Sequence, residues 1–269
     1  MTTVPLIKKG LDMPDTLKAK LIMNTALLAG KTMLENGAET YRVEETVEKM
    51  CSSQSFTDTH CFCVPTGIFF SGTYQDEEYT FIRRVKTTRI DLEVIAMVNQ
   101  FSRNFTSGLM TLEEAQERLK NIASTPKFPM YVRMIFSGVA AGFFAMIFGG
   151  SFNEFVGAFL TGFLAIGIID ISNFRIQSYF IKHMLAGFSI GIIAITCAYL
   201  MQWGHLSLDE DIVIIGGLMP FVPGVAMTNA LRDTISGDFI SGVSKLSEAI
   251  IIAVAIAIGV GIALNLVTI

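Results

Sequence analysis

The sequence predicts a polytopic α-helical membrane protein, in which five transmembrane helices follow an N-terminal α+β cytoplasmic domain. Apolar residues make up 51% of its 269 residues and charged residues only 16%, whereas about a quarter of a soluble protein is charged. The deficit is confined to the second half, because only four of the 20 Lys and Arg residues follow Arg133. This change of composition, near Pro126 and Pro129, indicates two domains, 1–129 and 130–269.

In the first domain, the spacing of the apolar residues changes from that of helices to that of strands and back again. Apolar residues recur at helical spacing in two segments, alternate in three short segments rich in Phe, Thr, Ile and Val, and then return to helical spacing. At the start of the last segment, Thr111 and Glu114 have the spacing of a capping box. The pattern predicts the order ααβββαα, with a three-stranded meander, over residues 12–36, 38–54, 56–64, 67–74, 79–86, 91–107 and 111–123.

Five stretches of the second domain are apolar enough to cross a bilayer, since a span needs about 20 such residues. Lys and Arg occur only in alternate loops, at Arg175 with Lys182 and at Arg232 with Lys245. Cytoplasmic loops carry this excess of positive charge. We therefore expect a protein of the cell (inner) membrane with its N-terminus in the cytoplasm and its C-terminus outside. The predicted spans are 132–149, 155–172, 180–202, 212–231 and 248–267.

Two prolines interrupt the fourth predicted span. Pro220 and Pro223 cannot donate backbone hydrogen bonds, so the carbonyls of Gly216 and Met219 lose their helical partners. Broken helices of this kind form substrate sites in many transporters, while an ordinary proline kink is the alternative interpretation. The candidate substrate path consists of Gly216, Met219, Pro220, Pro223, Gly224, Thr228 and Asn229.

Three carboxylates are candidates for proton coupling or gating. Asp233 and Asp238 follow the fourth span, and Asp170 ends the second. Burial favours the neutral form of a carboxyl, so a carboxylate within the membrane is a candidate proton carrier. A helix end that reaches headgroup water is the alternative for Asp170, and a solvated loop is the alternative for the other two. Lys245 and Glu248 are interpreted as charges of such a loop.

The sequence gives little support to metal, cofactor or catalytic chemistry. His60, Cys61 and Cys63 could bind a metal, but on a strand the two cysteines share one face and His60 points to the other. Structural zinc also needs four ligands. Nucleotide-binding and catalytic motifs are absent from the sequence, and the first domain has no basic bias towards nucleic acid. We therefore expect no cofactor, no metal, no nucleic-acid partner and no enzymatic activity.

Several motifs carry a resemblance to a known family. They are residues 35–45 (ENGAETYRVEE), Val64-Pro65-Thr66, Arg83-Arg84-Val85, Ile90-Asp91-Leu92, Asn99, and the positions Pro223-Gly224, Thr228-Asn229, Asp233, Gly237-Asp238 and Ser241-Gly242. In these motifs nearly the whole chain resembles the threonine/serine exporter (ThrE) family, especially its split form, the YjjP-type larger subunit.

The resemblance implies export of small hydrophilic metabolites, threonine and serine in one branch and succinate in the YjjP-type branch. It also implies a hetero-oligomer in the lipid bilayer, completed by a small YjjB-like membrane subunit. Two alternatives stay open: a membrane-anchored enzyme with its active site in the N-terminal domain, and a channel gated by that domain. A single helix would suffice as an anchor, so five spans argue against the enzyme.

Overall fold

The computed structural model describes residues 14–86, 89–126, 128–172, 176, 178–204 and 206–268. Residues 1–13 and Arg175, which enter the predictions above, lie outside these ranges. The chain forms two compact units. The first contains the described residues up to Thr125 together with Thr228–Lys245, here called the connecting segment, and the second contains those of Pro126–Met227 and Leu246–Ile269.

The first unit has the element order that the sequence predicts. Its three strands form an antiparallel sheet in the order β1-β2-β3. The elements are α1 (Asp15–Glu35), α2 (Thr40–Ser52), β1 (Thr57–Val64), β2 (Gly67–Tyr74), β3 (Glu77–Arg84), α3 (Leu92–Thr106) and α4 (Leu112–Ala123). The connecting segment adds the end of one helix and the start of another to this unit.

The core of the first unit lies between α1 and the elements packed around it. Gly30 is needed for the contact of α1 with α2, because a Cβ there would lie 2.7 Å from a methyl carbon of Val47. The predicted capping box of α4 is confirmed, with Thr111 and Glu114 each accepting the other's backbone N–H. The largest fully buried side chains include Ile22, Met23, Leu27, Met33, Phe70, Phe101, Phe105 and Leu119.

The second unit is built from long apolar helices. Within the described residues, four helices are long and apolar enough to cross a membrane, and a bent pair raises the number to five if it is counted as one span. The bend of 55° separates α8 and its following 3₁₀ turn from α9. The helices are α5 (Met130–Ile147), α6 (Phe152–Ser172), α7 (Tyr179–Trp203), α8 (Glu210–Leu218), α9 (Gly224–Ile235) and α10 (Phe239–Thr268), with the 3₁₀ turn at Met219–Phe221.

Glycines allow the helices of the second unit to touch backbone to backbone. A Cβ on Gly187 of α7 would overlap the carbonyl of Ile256, and one on Gly259 of α10 would overlap the carbonyl of Met184. Gly138 of α5 meets α6 in the same way. Small residues permit such close approach where lipid supplies no hydrophobic driving force between helices.

This packing predicts opposite effects for two glycines of α10. Gly259→Ala should lower the free energy of unfolding by about 1–3 kcal/mol, because the added methyl forces α7 and α10 apart. Gly261→Ala is the matched control, since a Cβ there meets no described atom within 4 Å. It should be neutral or stabilise by up to about 1 kcal/mol through helix propensity. Unfolding of the full chain in detergent measures both, and equal effects would contradict the packing.

Candidate functional site

The turn between α1 and α2 is fixed by residues that follow the sheet. Gly37 adopts a φ of +90°, a conformation that favours glycine. The Asn36 side chain donates to the carbonyl of Thr32 (2.6 Å) and accepts from Nε of Arg89 (2.5 Å). The backbone N–H of Asp91 donates to the carbonyl of Asn36 (3.1 Å). The turn is therefore held in one conformation from the side of α3.

The connecting segment hydrogen-bonds to this turn. The Asn229 side-chain amide donates to the carbonyl of Gly37 (2.8 Å). The Thr40 hydroxyl donates to Oδ2 of Asp238 (2.7 Å). The other carboxylate oxygen of Asp238 accepts the backbone N–H of Ser241 (3.2 Å) and so caps α10. One carboxylate thus starts a helix and joins that helix to α2.

Glu39, just before α2, pairs with two arginines. Arg232 of α9 donates to its Oε1, and Arg42 lies 3.4 Å from its Oε2. Burial raises the pKa of the Glu39 carboxyl, but a backbone hydrogen bond and the two guanidinium groups outweigh this and hold that pKa below its usual value. Glu39 therefore stays ionised and adds a charged contact between α2 and the connecting segment.

Asp233 and Lys245 form a buried ion pair within the connecting segment. Asp233 is 0% exposed, and the Lys245 ammonium lies 2.7 Å from its Oδ2. Although the two charged groups are this close, neither carboxylate oxygen accepts a hydrogen bond from the described groups. Nζ of Lys245 donates to the carbonyl of Ala38 (3.4 Å). Two charges that would each be costly to bury alone offset one another here.

Carboxylates of α2 cover the free edge of the sheet. Oε1 of Glu48 accepts the backbone N–H of Cys61 (2.8 Å), and Oε1 of Glu44 accepts that of Cys63 (2.8 Å). The hydroxyl of Ser241 donates to the carbonyl of Cys63 (3.3 Å). Strand β1 is an edge strand, and such edges need partners for their unpaired backbone groups. The connecting segment and α2 supply them together.

Glu44 is surrounded by negatively charged side chains. Burial raises the pKa of its carboxyl, the bond from the Cys63 amide lowers it, and the charges of Asp238, Glu48 and Asp233 raise it further. The net direction is upward. The carboxyl of Glu44 therefore holds a proton more readily than a free glutamate does.

These contacts bring together residues that are up to about 200 positions apart in the sequence. We call the group the polar cluster. It lies wholly within the first unit. Its members are Glu39, Thr40, Glu44, Asn229, Arg232, Asp233, Asp238, Ser241 and Lys245.

The structure separates the residues of the predicted site. Asn229, Asp233 and Asp238 belong to the polar cluster, and Thr228 begins the connecting segment. Asp170 lies in the second unit, where its Oδ2 accepts a hydrogen bond of 2.7 Å from Arg133. The remaining candidates, all in the second unit, are Gly216, Met219, Pro220, Pro223 and Gly224.

The break in the fourth predicted span differs from the expectation in one respect. The carbonyl of Gly216 accepts the N–H of Met219, and the carbonyl of Met219 accepts that of Val222 (3.3 Å). The carbonyls expected to lose their helical partners therefore keep bonds of the 3₁₀ type, because the chain tightens before Pro223. Gly216 is a packing position, since its Cβ would lie 2.8 Å from the carbonyl of Ala141.

Lys245 differs from its sequence prediction. The prediction of a solvated loop charge is wrong, because its side chain is buried against Asp233. Glu39, Thr40 and Glu44 are not among the predicted site residues and occur in the sequence only within the family motif at 35–45. Acidic and hydroxyl groups next to the glycine turn at Gly37 could have indicated a polar site. Their partners, however, lie too far away in the sequence to be identified from it.

The cysteines of the first unit offer no reactive group. Burial raises the pKa of Cys51 to about 12 and raises the pKa values of Cys61 and Cys63 as well. His60 is exposed while Cys63 is buried, so the two lie on opposite faces of β1, as the strand pattern predicts. Among the described residues, no group of three or more His, Cys, Asp or Glu side chains is placed to hold a metal ion.

Apolar helices of spanning length and a separate unit rich in buried polar contacts define a multi-pass membrane protein. A family model described as putative threonine/serine exporter matches residues 24–267. The chain therefore belongs to the putative threonine/serine exporter family, and the resemblance seen in its motifs is confirmed.

A curated relative is matched over most of this chain but over only part of its own length. The protein named threonine/serine exporter from Corynebacterium glutamicum is 21% identical over 247 residues, which cover 90% of this chain and 50% of that protein. The chain thus spans about half the length of this relative. Comparison with solved structures gives no match.

The buried ion pair predicts a large effect of a single substitution. Lys245→Met leaves the carboxylate of Asp233 buried without a cation, so the free energy of unfolding should fall by about 3–5 kcal/mol. The double variant Asp233→Asn/Lys245→Met removes both charges and should recover most of this loss. Unfolding of the full chain in detergent measures both values.

The matched control for this experiment is an exposed pair of the same chemistry. Lys49 pairs with Glu45 on the surface of α2, and Lys49→Met should stay within about 0.5 kcal/mol of the parent chain. If Lys245→Met cost no more than this control, the pair would not be the buried contact described here.

Proposed function

We propose that this chain is a subunit of a secondary transporter that exports small hydrophilic amino acids, of the threonine and serine type, across the cell membrane. The observation that carries the proposal is the family match over residues 24–267. The name of the bacterial relative, threonine/serine exporter, supports the same substrate class. A dicarboxylate such as succinate is the alternative substrate, implied by the resemblance to the YjjP-type branch. On this proposal the chain is a transporter and not an enzyme.

A second polypeptide completes the transporter in this proposal. The resemblance of the motifs to the YjjP-type larger subunit of a split exporter supports this partner, which would be a small membrane subunit similar to YjjB. The substrate pathway would then be formed by a hetero-oligomer.

The proposed orientation follows from the positive charges. Arg133, Lys182, Arg232 and Lys245 fall on one side of the bilayer if the bent pair α8–α9 is one span. Positive charge is retained in the cytoplasm, so the first unit and the connecting segment are assigned to the cytoplasmic side. The C-terminus is then extracytoplasmic.

The proposed substrate path runs along the bent pair. Backbone that leaves the regular α-helical pattern within a membrane is tolerated where protein or a watery cavity surrounds it, and broken helices hold substrate in other transporters. The residues assigned to this path are those predicted from the sequence: Gly216, Met219, Pro220, Pro223, Gly224, Thr228 and Asn229. Asp233 and Asp238 are assigned to gating from the polar cluster, and Asp170 stays a candidate for proton coupling.

One observation favours the first unit as the gate of this path. The connecting segment joins α9 of the bent pair to α10 and belongs to the first unit. Any movement of α2 that loosens Glu39 or Thr40 from this segment therefore acts on the part of the chain that runs from α9 into α10.

Transport in liposomes tests the proposal. The purified full chain, with and without a YjjB-like subunit, is reconstituted into liposomes loaded with labelled threonine, serine or succinate. We expect saturable efflux of threonine or serine that requires both subunits. Liposomes without protein give the background rate. Succinate efflux alone would select the dicarboxylate alternative, and the absence of saturable efflux of all three compounds would contradict the proposal.

A further inference from the structure

We propose that the polar cluster binds a proton and that the side chain of Glu44 carries it. The inference names a group that no comparison assigns and that the sequence analysis did not select. Its link to transport rests on the proposed function, but proton binding itself does not.

The charges that face one another in the cluster do not balance. Glu44 contributes one carboxylate from α2, and the connecting segment contributes those of Asp233 and Asp238. Lys245 is the ammonium within this group, and it pairs with Asp233. Arg232 is engaged with Glu39 outside the group. Three carboxylates against one ammonium leave an excess of negative charge where Asp233 is buried and Glu44 and Asp238 are half-buried, and an uncompensated charge becomes more costly as it is buried.

The remaining groups around Glu44 do not remove this excess. Glu48, one turn further along α2, adds another negative charge. From β1, Cys63 contributes a backbone N–H and a neutral thiol, because burial raises the pKa of that thiol. A cationic ligand at the cluster therefore lowers its electrostatic energy.

The three carboxyls of this group differ in their partners. Asp238 accepts two hydrogen bonds, from Thr40 and from the backbone of Ser241. Asp233 has Lys245 as its cation. The carboxylate of Glu44 accepts one hydrogen bond, from the Cys63 amide, while its pKa is raised by burial and by the neighbouring charges.

The proton state of Glu44 acts on the contact between α2 and the connecting segment. When Glu44 is ionised it repels Asp238 and Asp233, which lie on the other side of this contact. When it is protonated the repulsion disappears, while the bonds made by Thr40 and Asn229 are unchanged. Proton binding therefore strengthens the contact, and a conformation that separates the two sides releases the proton, since the two equilibria are linked.

The direction of the pH dependence follows from the raised pKa of Glu44. A carboxyl whose pKa is higher in the folded than in the unfolded state adds nothing below the unfolded value, about 4.3. Above it, stability falls as the pH rises towards the folded pKa. Glu44→Gln keeps an oxygen that accepts the Cys63 amide but cannot ionise, so this variant should gain stability relative to the parent chain as the pH rises from about 4.

Thermal unfolding of the full chain in detergent between about pH 4 and pH 8 tests this expectation. Each unit by which the pKa of Glu44 is raised corresponds to about a tenfold change in the folding equilibrium constant. Glu48→Gln is the matched control, because Glu48 makes the same bond to the next edge amide of β1. The pH-dependent gain should be larger for Glu44→Gln than for Glu48→Gln. A constant difference between Glu44→Gln and the parent chain would overturn the proposal.

Infrared spectroscopy on protein labelled with ¹³C-glutamate supplies a second measurement that does not depend on unfolding. A protonated carboxyl band that persists above about pH 4.3 in the parent chain and in Glu48→Gln, but is lost in Glu44→Gln, supports the proposal. Its absence from the parent chain overturns it. Adding sodium chloride or potassium chloride at fixed pH tests for a different cation: stabilisation by either salt without the band assigns a metal cation to the cluster and overturns the proposal of a bound proton.

The test of proton binding at Glu44 can fail or succeed independently of the transport experiment. The unfolding and infrared measurements require no substrate and no second subunit. A band at Glu44 in a protein that exports none of the three compounds would contradict the proposed function alone. Saturable export by a protein without the band would contradict proton binding alone.

Discussion

A carboxylate buried without solvent needs a buried cation, and Asp233 and Lys245 satisfy this constraint within the connecting segment. Asp233 lies on α9 and Lys245 on α10, so their pairing fixes the two helices on either side of the turn at Gly237. The same ammonium reaches the carbonyl of Ala38. The ion pair therefore determines which polar groups the segment presents to the turn between α1 and α2.

The remaining contacts of the cluster depend on that arrangement. Asn229 donates to the carbonyl of Gly37, Arg232 donates to the carboxylate of Glu39, and Thr40 donates to the carboxylate of Asp238. Each contact joins the turn between α1 and α2, or the start of α2, to a segment that runs from α9 into α10. In the proposed transporter, the position of this segment in the first unit would link the polar domain to solute movement, because charges on α2 act on the chain that continues into α10. In the proposed transporter, protonation of one side chain adjusts that link.

The sequence predicted the local structure well and the long-range contacts poorly. The period of the apolar residues located the helices and strands of the first unit, since burial on one face imposes that period. Hydropathy located five apolar stretches, which correspond to four helices and a bent pair. The burial of Lys245 was not predictable, because its partner Asp233 and its acceptor Ala38 are joined only by the fold. The roles of Thr40 and Glu44 were not predictable for the same reason, although both residues lie in the family motif at 35–45.

A double-mutant cycle on Thr40 and Asp238 tests most directly whether the connecting segment is part of the first unit. Thr40→Val removes the buried hydroxyl, Asp238→Ala removes its acceptor, and the cycle isolates their interaction from the capping role of Asp238 in α10. A hydrogen bond to a charged group predicts a coupling free energy of about 1.5–3 kcal/mol in the unfolding of the full chain in detergent. A coupling near zero would contradict the account, because it would show that the segment and α2 do not meet.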